Sequence, residues 1–211
     1  MLDKLPPAMF LADSRGLDFL NSLAVPVDVE VEWLASGEDL LAWLEAAELV
    51  SPQVIEEIRS AARPGELDAV AKQARELREW FREFVRHHRG KPLTRKAVAE
   101  LEPLNQLLAR DQEFKQIAPR AKADTEHGDG ALQLIQQRRW QSADALLLPL
   151  AQAIAQLLTT ADFTDVKACE GPVCTLHFLD TTRGRRRRWC SMAVCGNRAK
   201  QAAHRHRVGS Q

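Results

Sequence analysis

The chain has 211 residues, and 45% of them are hydrophobic, a composition that suits a globular protein with a packed core. This excludes the collagen-like, fibrous and disordered classes. The start of the chain lacks the apolar segment of a signal peptide, and the most apolar stretch, residues 145–158, contains Pro149 and is too short to span a bilayer. We therefore expect a cytoplasmic protein without a membrane partner.

The net charge of zero hides an uneven distribution of charge along the chain. Residues 166–211 contain ten Lys or Arg and two Asp or Glu, whereas residues 1–165 contain 19 Lys or Arg and 27 Asp or Glu. An acidic body with a basic tail is typical of proteins that bind nucleic acid or another polyanion. In the alternative, the two parts neutralise each other, within one chain or across a dimer.

The first part of the sequence predicts helices. Ser36 and Asp39 have the spacing of a capping box ahead of apolar residues at helical intervals. Ser51 and Pro52 suit the N-cap and first turn of the next helix. The clearest helix covers about residues 66–88, where apolar residues recur every three or four positions opposite a charged face.

The middle of the chain predicts a helix, a hairpin and a further helix. Thr94 can cap a helix that Pro103 should kink or restart. Polar and apolar residues alternate within residues 113–140, which predicts a β-hairpin with its turn near residues 128–130. Ser142 is positioned to cap the helix that follows.

All four cysteines fall within 27 consecutive residues, as Cys169, Cys174, Cys190 and Cys195. Two closely spaced pairs are typical of zinc knuckles; disulfides are the alternative, but cytoplasmic thiols stay reduced. Four thiolates complete a tetrahedral zinc shell and leave no position for water, so we expect one structural Zn²⁺. Without metal, residues 166–208 should lose their order, because so short a segment has little core of its own.

Around the cysteines the sequence predicts a knuckle, a hairpin and a helix. We expect residues 175–180 to form a strand that pairs with residues 187–190 across a tight turn. This pairing would place Arg187 opposite Asp180, in a structural role. The last helix should begin at Asn197, with that residue as its N-cap.

Basic side chains cluster on this turn and on the last helix. They are candidates for phosphate contacts, because Lys and Arg on backbone phosphates supply much of the affinity for nucleic acid. In the alternative, the arginines form a solvated turn or compensate for the negative charge of the metal site. The candidate residues are Arg183, Arg185, Arg186, Arg187, Arg188, Arg198, Lys200 and Arg205.

The front part of the chain carries no pattern typical of an enzyme. It contains no HExxH sequence, no glycine-rich phosphate loop and no nucleophile elbow. Asp13, Arg15 and Asp18 could line a pocket, but acidic residues on a helical domain are more often solvated surface. We therefore expect a protein that is not an enzyme.

The cysteine-rich segment resembles the CGNR zinc finger, which is named for the residues that stand here as Cys195, Gly196, Asn197 and Arg198. The surrounding RRWCSMAVCGNRAKQAAHRHR, the preceding HFLD and the C-x4-C opening carry the likeness. In that family the finger follows a mostly helical ABATE domain, and the segments LADSRGLDFLNSLA and DLLAWLEAAELV are similar to that domain. The resemblance implies a bacterial, stress-related transcriptional regulator.

These observations predict a mainly α protein with a small β-hairpin, of the α+β class. A helical ABATE-like domain should cover residues 1–163, and a zinc finger with four cysteine ligands residues 164–211. The predicted function is transcriptional regulation, with the finger binding nucleic acid, DNA in the first place. The helical domain would sense a small-molecule effector or form a homodimer. In the alternative, the protein is an interaction or ligand-binding module whose basic finger docks on its own acidic domain.

Overall fold

The computed structural model describes residues 5–26, 28–120 and 132–208, and these form a mainly α fold with small antiparallel strand pairs, as predicted. The strands pair as β1 with β2, β3 with β4 and β5 with β6. The helices are α1 (Arg15–Leu20), α2 (Gly37–Ala46), α3 (Pro52–Ala61), α4 (Glu66–His88), α5 (Glu102–Leu108), α6 (Leu147–Thr160) and α7 (Asn197–Val208). The strands are β1 (Leu23–Ala24), β2 (Val31–Glu32), β3 (Glu113–Pro119), β4 (Leu132–Arg138), β5 (Val166–Ala168) and β6 (His177–Leu179).

Local signals explain where α2 and α3 begin. The Asp39 N–H donates to the Ser36 hydroxyl at 3.2 Å, and the Ser36 N–H donates to the Asp39 carboxylate at 3.1 Å. These reciprocal bonds confirm the predicted capping box. Ser51 accepts a bond from the Val54 N–H, and Pro52 occupies the first turn of α3, as predicted.

Helix α4 has the predicted bounds, and its apolar stripe is buried, with Phe81 at its centre. Arg78 is an exception among the charged residues of α4, because it is buried and only 1% exposed. Its guanidinium forms two bonds with the Glu32 carboxylate, at 2.7 and 2.5 Å, and a third with the Ser22 hydroxyl at 2.9 Å. This buried pair ties α4 to β2 and to the end of α1.

The middle of the chain follows the prediction except at its caps. A 3₁₀ helix covers Arg95–Leu101, and α5 restarts with Pro103 in its first turn, as predicted. Thr94 and Ser142 occupy N-cap positions without a side-chain capping bond, and both precede 3₁₀ turns rather than α-helices. Strands β3 and β4 form the predicted hairpin, whose expected turn at residues 128–130 lies outside the described residues.

Helix α6 lies in the middle of the hydrophobic core, where Leu150 and Ile154 are fully buried. The window Ala143–Thr160 is long and apolar enough to cross a membrane by length and composition alone, with a mean hydropathy of 1.3. However, 56% of that window is buried inside the protein, as in a core helix. Helix α1 packs closely on it, since a Cβ atom on Gly16 would lie 2.7 Å from the Ala153 carbonyl oxygen.

The cysteine-rich segment shares this core. Leu176 and Phe178 are buried in the same hydrophobic cluster as the helices. Strand β6 also bonds to the first segment of the chain, because the Leu179 N–H donates to the Ala12 carbonyl at 2.9 Å. The finger is therefore docked on the helical part.

Candidate zinc centre and basic surface

The four cysteine sulfurs form one cluster, in which all ligand atoms lie within 4.8 Å of one another. The Cys190 sulfur is 3.9 Å from that of Cys174 and 3.7 Å from that of Cys195. Tetrahedral zinc with Zn–S bonds of about 2.3 Å would separate its sulfurs by about 3.8 Å. All four cysteines, including Cys169, are free thiols, which removes the disulfide alternative. The donor set fits one Zn²⁺ and completes its coordination shell.

Backbone N–H groups support the sulfur cluster. The Cys169 sulfur accepts bonds from the N–H of Gly171 at 3.4 Å and from the N–H of Cys190 at 3.3 Å. Such bonds orient the ligand and stabilise its thiolate form. A Cβ atom at position 171 would lie 3.1 Å from the Cys195 sulfur, so the first knuckle leaves little room for a side chain there.

The thiols of this cluster lie close enough to shift one another's pKa. The hydrogen bond between the Cys174 and Cys190 sulfurs lowers the pKa of Cys174 and raises that of Cys190. Burial, together with the charge of Cys174, raises the pKa of Cys195 to about 12. Four thiolates this close together repel one another, so a bound Zn²⁺ would stabilise them and its binding would release protons.

The second knuckle leads directly into α7. Ser191 accepts bonds from the N–H groups of Ala193 and Val194, and a π-helical turn over Met192–Gly196 follows. Asn197 already has helical backbone angles, with φ −67° and ψ −37°. The prediction that Asn197 is the N-cap is therefore wrong, because Ser191 caps the turn six residues earlier.

Buried Asp180 organises the arginine-rich loop of residues 181–187. It is 0% exposed, and its carboxylate accepts bonds from Lys167 Nζ at 2.6 Å, Thr182 Oγ1 at 2.6 Å and the Arg187 N–H at 2.9 Å. Burial alone would raise the pKa of Asp180, but these bonds outweigh it and hold the pKa well below its usual range. The loop is thereby folded back onto the end of β6.

This arrangement corrects the predicted hairpin of the finger. Strand β6 pairs with β5, with Phe178 opposite Lys167, and not with residues 187–190. The Arg187 N–H, which the prediction assigned to a strand ladder, instead donates to a carboxylate. The predicted partner strand was therefore wrong, because the buried Asp180 carboxylate at the base of the loop accepts the Arg187 N–H.

Arg187 has a structural role, but its partner differs from the prediction. Its guanidinium carbon lies 4.2 Å from the centroid of the Phe178 ring, and its side chain is 19% exposed. It donates to the Leu11 carbonyl at 2.8 Å and pairs with the Asp13 carboxylate. The guanidinium thus points to the helical part, and only the backbone of Arg187 meets Asp180.

The remaining predicted basic residues are exposed to different degrees. Three of them form ion pairs within the chain while keeping 39–60% of their side chains exposed. These pairs are Arg185 with Asp165 at 3.1 Å, Arg188 with Glu170 at 2.6 Å and Arg198 with Asp28 at 3.0 Å. The other exposed members are Arg183, Arg186, Lys200 and Arg205.

The first zinc knuckle connects the loop arginines with those of α7. Arg188 pairs with Glu170, and a cleft of about 160 Å³ lies between residues 171–174 and α7. Arg198 and Arg205 line this cleft. The fold therefore brings Arg188, Arg198 and Arg205 around one knuckle, whereas Arg183 and Arg186 belong to the loop.

Asp18, expected on the surface, is instead 4% exposed. Its carboxylate accepts the Ala12 N–H at 3.0 Å and lies 3.4 Å from the Arg15 guanidinium. Burial raises the pKa of Asp18 to about 6 despite these two contacts, which lower it. Asp18 thereby fixes the segment of residues 11–13 that receives the finger.

Sequence reasoning missed the residues that dock the finger. Asn21 bonds twice with the backbone of His177, which lies 156 positions away. The His177 ring is largely buried, and its Nδ1 atom has no partner within the described residues. No local pattern could have indicated these contacts, because each partner occupies an ordinary helix end or a short strand.

Comparisons with known families agree with this architecture. A family model named ABATE and described as "Putative stress-induced transcription regulator" matches residues 13–161. A second model, the CGNR zinc finger, matches residues 166–208. A search of the curated proteins gives no match.

Together with the four-sulfur cluster, the finger match supports one structural zinc ion, as predicted. The order of the two matches confirms the resemblance found in the sequence. Both are regulatory or zinc-finger families, which supports a zinc-binding regulator.

Proposed function

We propose that this chain, which belongs to the ABATE family and ends in a CGNR zinc finger, is a cytoplasmic transcriptional regulator that binds DNA through its finger. The observation that carries the proposal is a set of exposed basic side chains on a fixed scaffold. Asp180 holds the arginine loop, and the cysteine cluster holds the start of α7. Cations in fixed positions can contact successive phosphates with little loss of conformational entropy.

The proposed DNA surface differs from the predicted residue set by one member. We leave out Arg187, because its guanidinium is committed to the docking of the finger. The proposed surface comprises Arg183, Arg185, Arg186, Arg188, Arg198, Lys200 and Arg205. Arg188 and Arg198 can exchange their carboxylate partners for a phosphate at small cost, because exposed salt bridges contribute only about 0–1 kcal/mol.

Zinc has a structural part in this proposal. When bound, it would hold Cys169, Cys174, Cys190 and Cys195 together and supply folding free energy, with no open position for catalysis. The chain itself would supply the contacts to DNA. A finger of this size binds weakly alone, so we include a homodimer, which would raise affinity by presenting two fingers at once.

A salt titration of DNA binding tests the proposal. Fluorescence anisotropy of the zinc-loaded full-length protein on a random duplex should show affinity falling steeply with salt. The double variant Arg183→Ala/Arg186→Ala should reduce the slope of log K against log salt by about 1–2, since each phosphate contact contributes about 0.9. A matched control, Arg63→Ala/Arg95→Ala, removes two exposed arginines from the helical part and should leave the slope unchanged.

Three outcomes would count against the proposal. Binding that does not depend on salt would remove phosphate contact as its basis. An equal loss of slope in the Arg63→Ala/Arg95→Ala control would show that the finger is not the binding surface. Tighter binding to a length-matched RNA than to DNA would overturn the choice of DNA.

The docking of the finger favours a second candidate, an interaction module in which finger and helical domain form one composite surface. The contacts that favour it are the Asn21–His177 bonds and the Arg187–Asp13 pair. In this case the arginine variants would leave nucleic-acid binding at background. Protein purified at low salt without nuclease would also carry no ultraviolet absorbance from nucleic acid.

The helical domain offers a place for the predicted small-molecule effector. An open cleft of about 540 Å³ lies between the end of α3 and the segment at Trp140, and Ile58 and Arg63 contribute to its lining. The lining is mixed, with Ile58 and Trp140 beside Arg63 and Glu66, and apolar side chains next to a few polar groups suit a small-molecule cleft. A ligand bound there should change the melting temperature of the protein, and Trp140→Ala should abolish that change.

A further inference from the structure

The β3–β4 hairpin carries an apolar strip that is open to solvent. Ile117 is 68% exposed, Leu132 67% and Leu134 63%, and they are three of the eight large hydrophobic residues exposed in the described chain. Ile117 lies opposite Leu134, and Pro119 lies opposite Leu132, so the four side chains share one face. A contiguous apolar patch of this kind marks an interaction surface in a soluble protein.

The base of the hairpin is fixed to the body of the protein. Arg138 of β4 pairs with Asp111 at 2.7 Å and with Glu113 at 3.0 Å. Gln152 of helix α6 donates to the same two carboxylates, at 3.3 and 2.6 Å. The base of the hairpin is therefore anchored to the core helix α6, and the strip lies farther out on the same hairpin.

The strip has no charge with which to recognise a charged partner. Residues 116–119 and 132–137 contain no Lys, Arg, Asp or Glu. Nucleic acid requires cations, and elements that lie on membrane surfaces usually carry Lys or Arg beside aromatic residues. The charged residues of the two strands, Glu113 and Lys115 of β3 and Arg138 of β4, lie outside the strip, towards the anchored base. The occupant should therefore be as apolar and as neutral as the strip itself.

We propose that a second copy of this chain covers the strip, with the two hairpins packed face to face around a twofold axis. A twofold interface uses the same patch twice, and the pairs Ile117–Leu134 and Pro119–Leu132 provide an apolar surface that matches itself. The formal net charge is zero before zinc binds, so the overall charge adds little repulsion between two copies. A two-stranded hairpin is also marginally stable alone, and the second copy supplies the missing layer.

This inference rests on the homodimer included in the proposed function and gives that dimer an interface. The interface does not depend on DNA binding. Sedimentation velocity of the zinc-loaded full-length protein, without nucleic acid, should show a dimer between about 1 and about 100 µM. Ile117→Lys/Leu134→Lys places two charges in the interface and should weaken dimerisation at least about tenfold. Zinc content and the far-ultraviolet circular dichroism spectrum should stay unchanged, because both side chains are exposed in the single chain.

Val98→Lys is the matched control, since Val98 is 58% exposed outside the hairpin. This variant should dimerise like the unmodified chain. A protein that stays monomeric at about 100 µM would overturn the proposal, as would a dimer that is insensitive to the double variant. Cosedimentation of the monomer with phosphatidylcholine vesicles, lost in the double variant, would overturn it in favour of a membrane. A dimer without DNA binding would contradict the proposed function alone.

Discussion

The side chain of Asn21 forms two hydrogen bonds with the backbone of His177, one at 2.8 Å to the carbonyl and one at 2.9 Å from the N–H. These are the bonds that a neighbouring strand would make, so one amide side chain takes the place of a third strand beside β6. Asn21 follows α1, and His177 begins β6. The finger is thus joined to the helical part by the same kind of bond that forms a sheet.

We expect Asn21→Ala to destabilise the protein by about 1–3 kcal/mol, because it leaves a part-buried backbone N–H and a carbonyl unpaired. Asn21→Asp should be at least as harmful, since its carboxylate would face the His177 carbonyl. Urea unfolding at fixed zinc concentration measures both. Asn105→Ala, an exposed asparagine of α5, is the control and should stay within about 0.5 kcal/mol. A similarly small effect for Asn21→Ala would mean that these bonds do not hold the finger.

Removal of zinc should destabilise more than the finger. The sequence alone suggested that residues 166–208 would lose order, but Phe178 and Cys190 belong to the same core as Phe19 of α1. Chelation should therefore lower the melting temperature of the helical signal in circular dichroism by about 10 °C or more. Adding zinc back should restore it. Zinc release without any shift in helical melting would show that the two parts unfold independently.

Asp180→Asn tests how the arginine loop is held. The amide can still accept a bond from Thr182 but cannot neutralise Lys167, so we expect a loss of about 1–3 kcal/mol. DNA affinity should fall as well, because the loop loses its fixed position. Asp28→Asn breaks the pair with Arg198, in which Asp28 is 68% exposed, and should change stability by less than about 0.5 kcal/mol. Equal effects of the two substitutions would contradict a special role for Asp180.

The sequence predicted those features whose cause is local. The helical repeat of α4 and the capping box at Ser36 are each encoded within a few residues, and the four cysteines indicate a metal site by their spacing alone. The partner of Arg187 could not be found in this way. Its guanidinium meets Asp13, which lies 174 positions away, so the nearer Asp180 was chosen from sequence.

The strand pairing of the finger was missed for a similar reason. Strands β5 and β6 have three residues each, too few for an alternating pattern to stand out. The conformation of the loop then depends on the burial of Asp180, which cannot be predicted from the local sequence. From sequence, a carboxylate followed by five arginines is expected on the surface. In the structure, bonds from Lys167 and Thr182 satisfy the buried Asp180 carboxylate.

Two buried titratable groups should give the stability of the protein opposite dependences on pH. Burial, together with Arg89 and Arg82, lowers the pKa of His177 from 6.5 to about 4. The unfolded chain therefore binds more protons than the folded chain between these values. The contribution of His177 is fully present above about pH 6.5 and is lost towards pH 4, by up to about 3 kcal/mol. In His177→Gln, the free energy of unfolding relative to the unmodified chain should therefore rise as the pH falls.

Asp18 should act in the opposite direction. Burial raises its pKa from 3.8 to about 6, so here the folded chain binds more protons between these values. The contribution of protonated Asp18 is fully present below about pH 4 and is lost as the pH rises through about 6, by up to about 3 kcal/mol. Asp18→Asn keeps an acceptor for the Ala12 N–H without the buried charge, so its advantage over the unmodified chain should grow from pH 4 to pH 7. Urea unfolding across this range measures both variants, and the zinc-linked protons cancel in each difference. Slopes of the same sign for Asp18→Asn and His177→Gln would show that at least one of these groups is not buried in the charge state described.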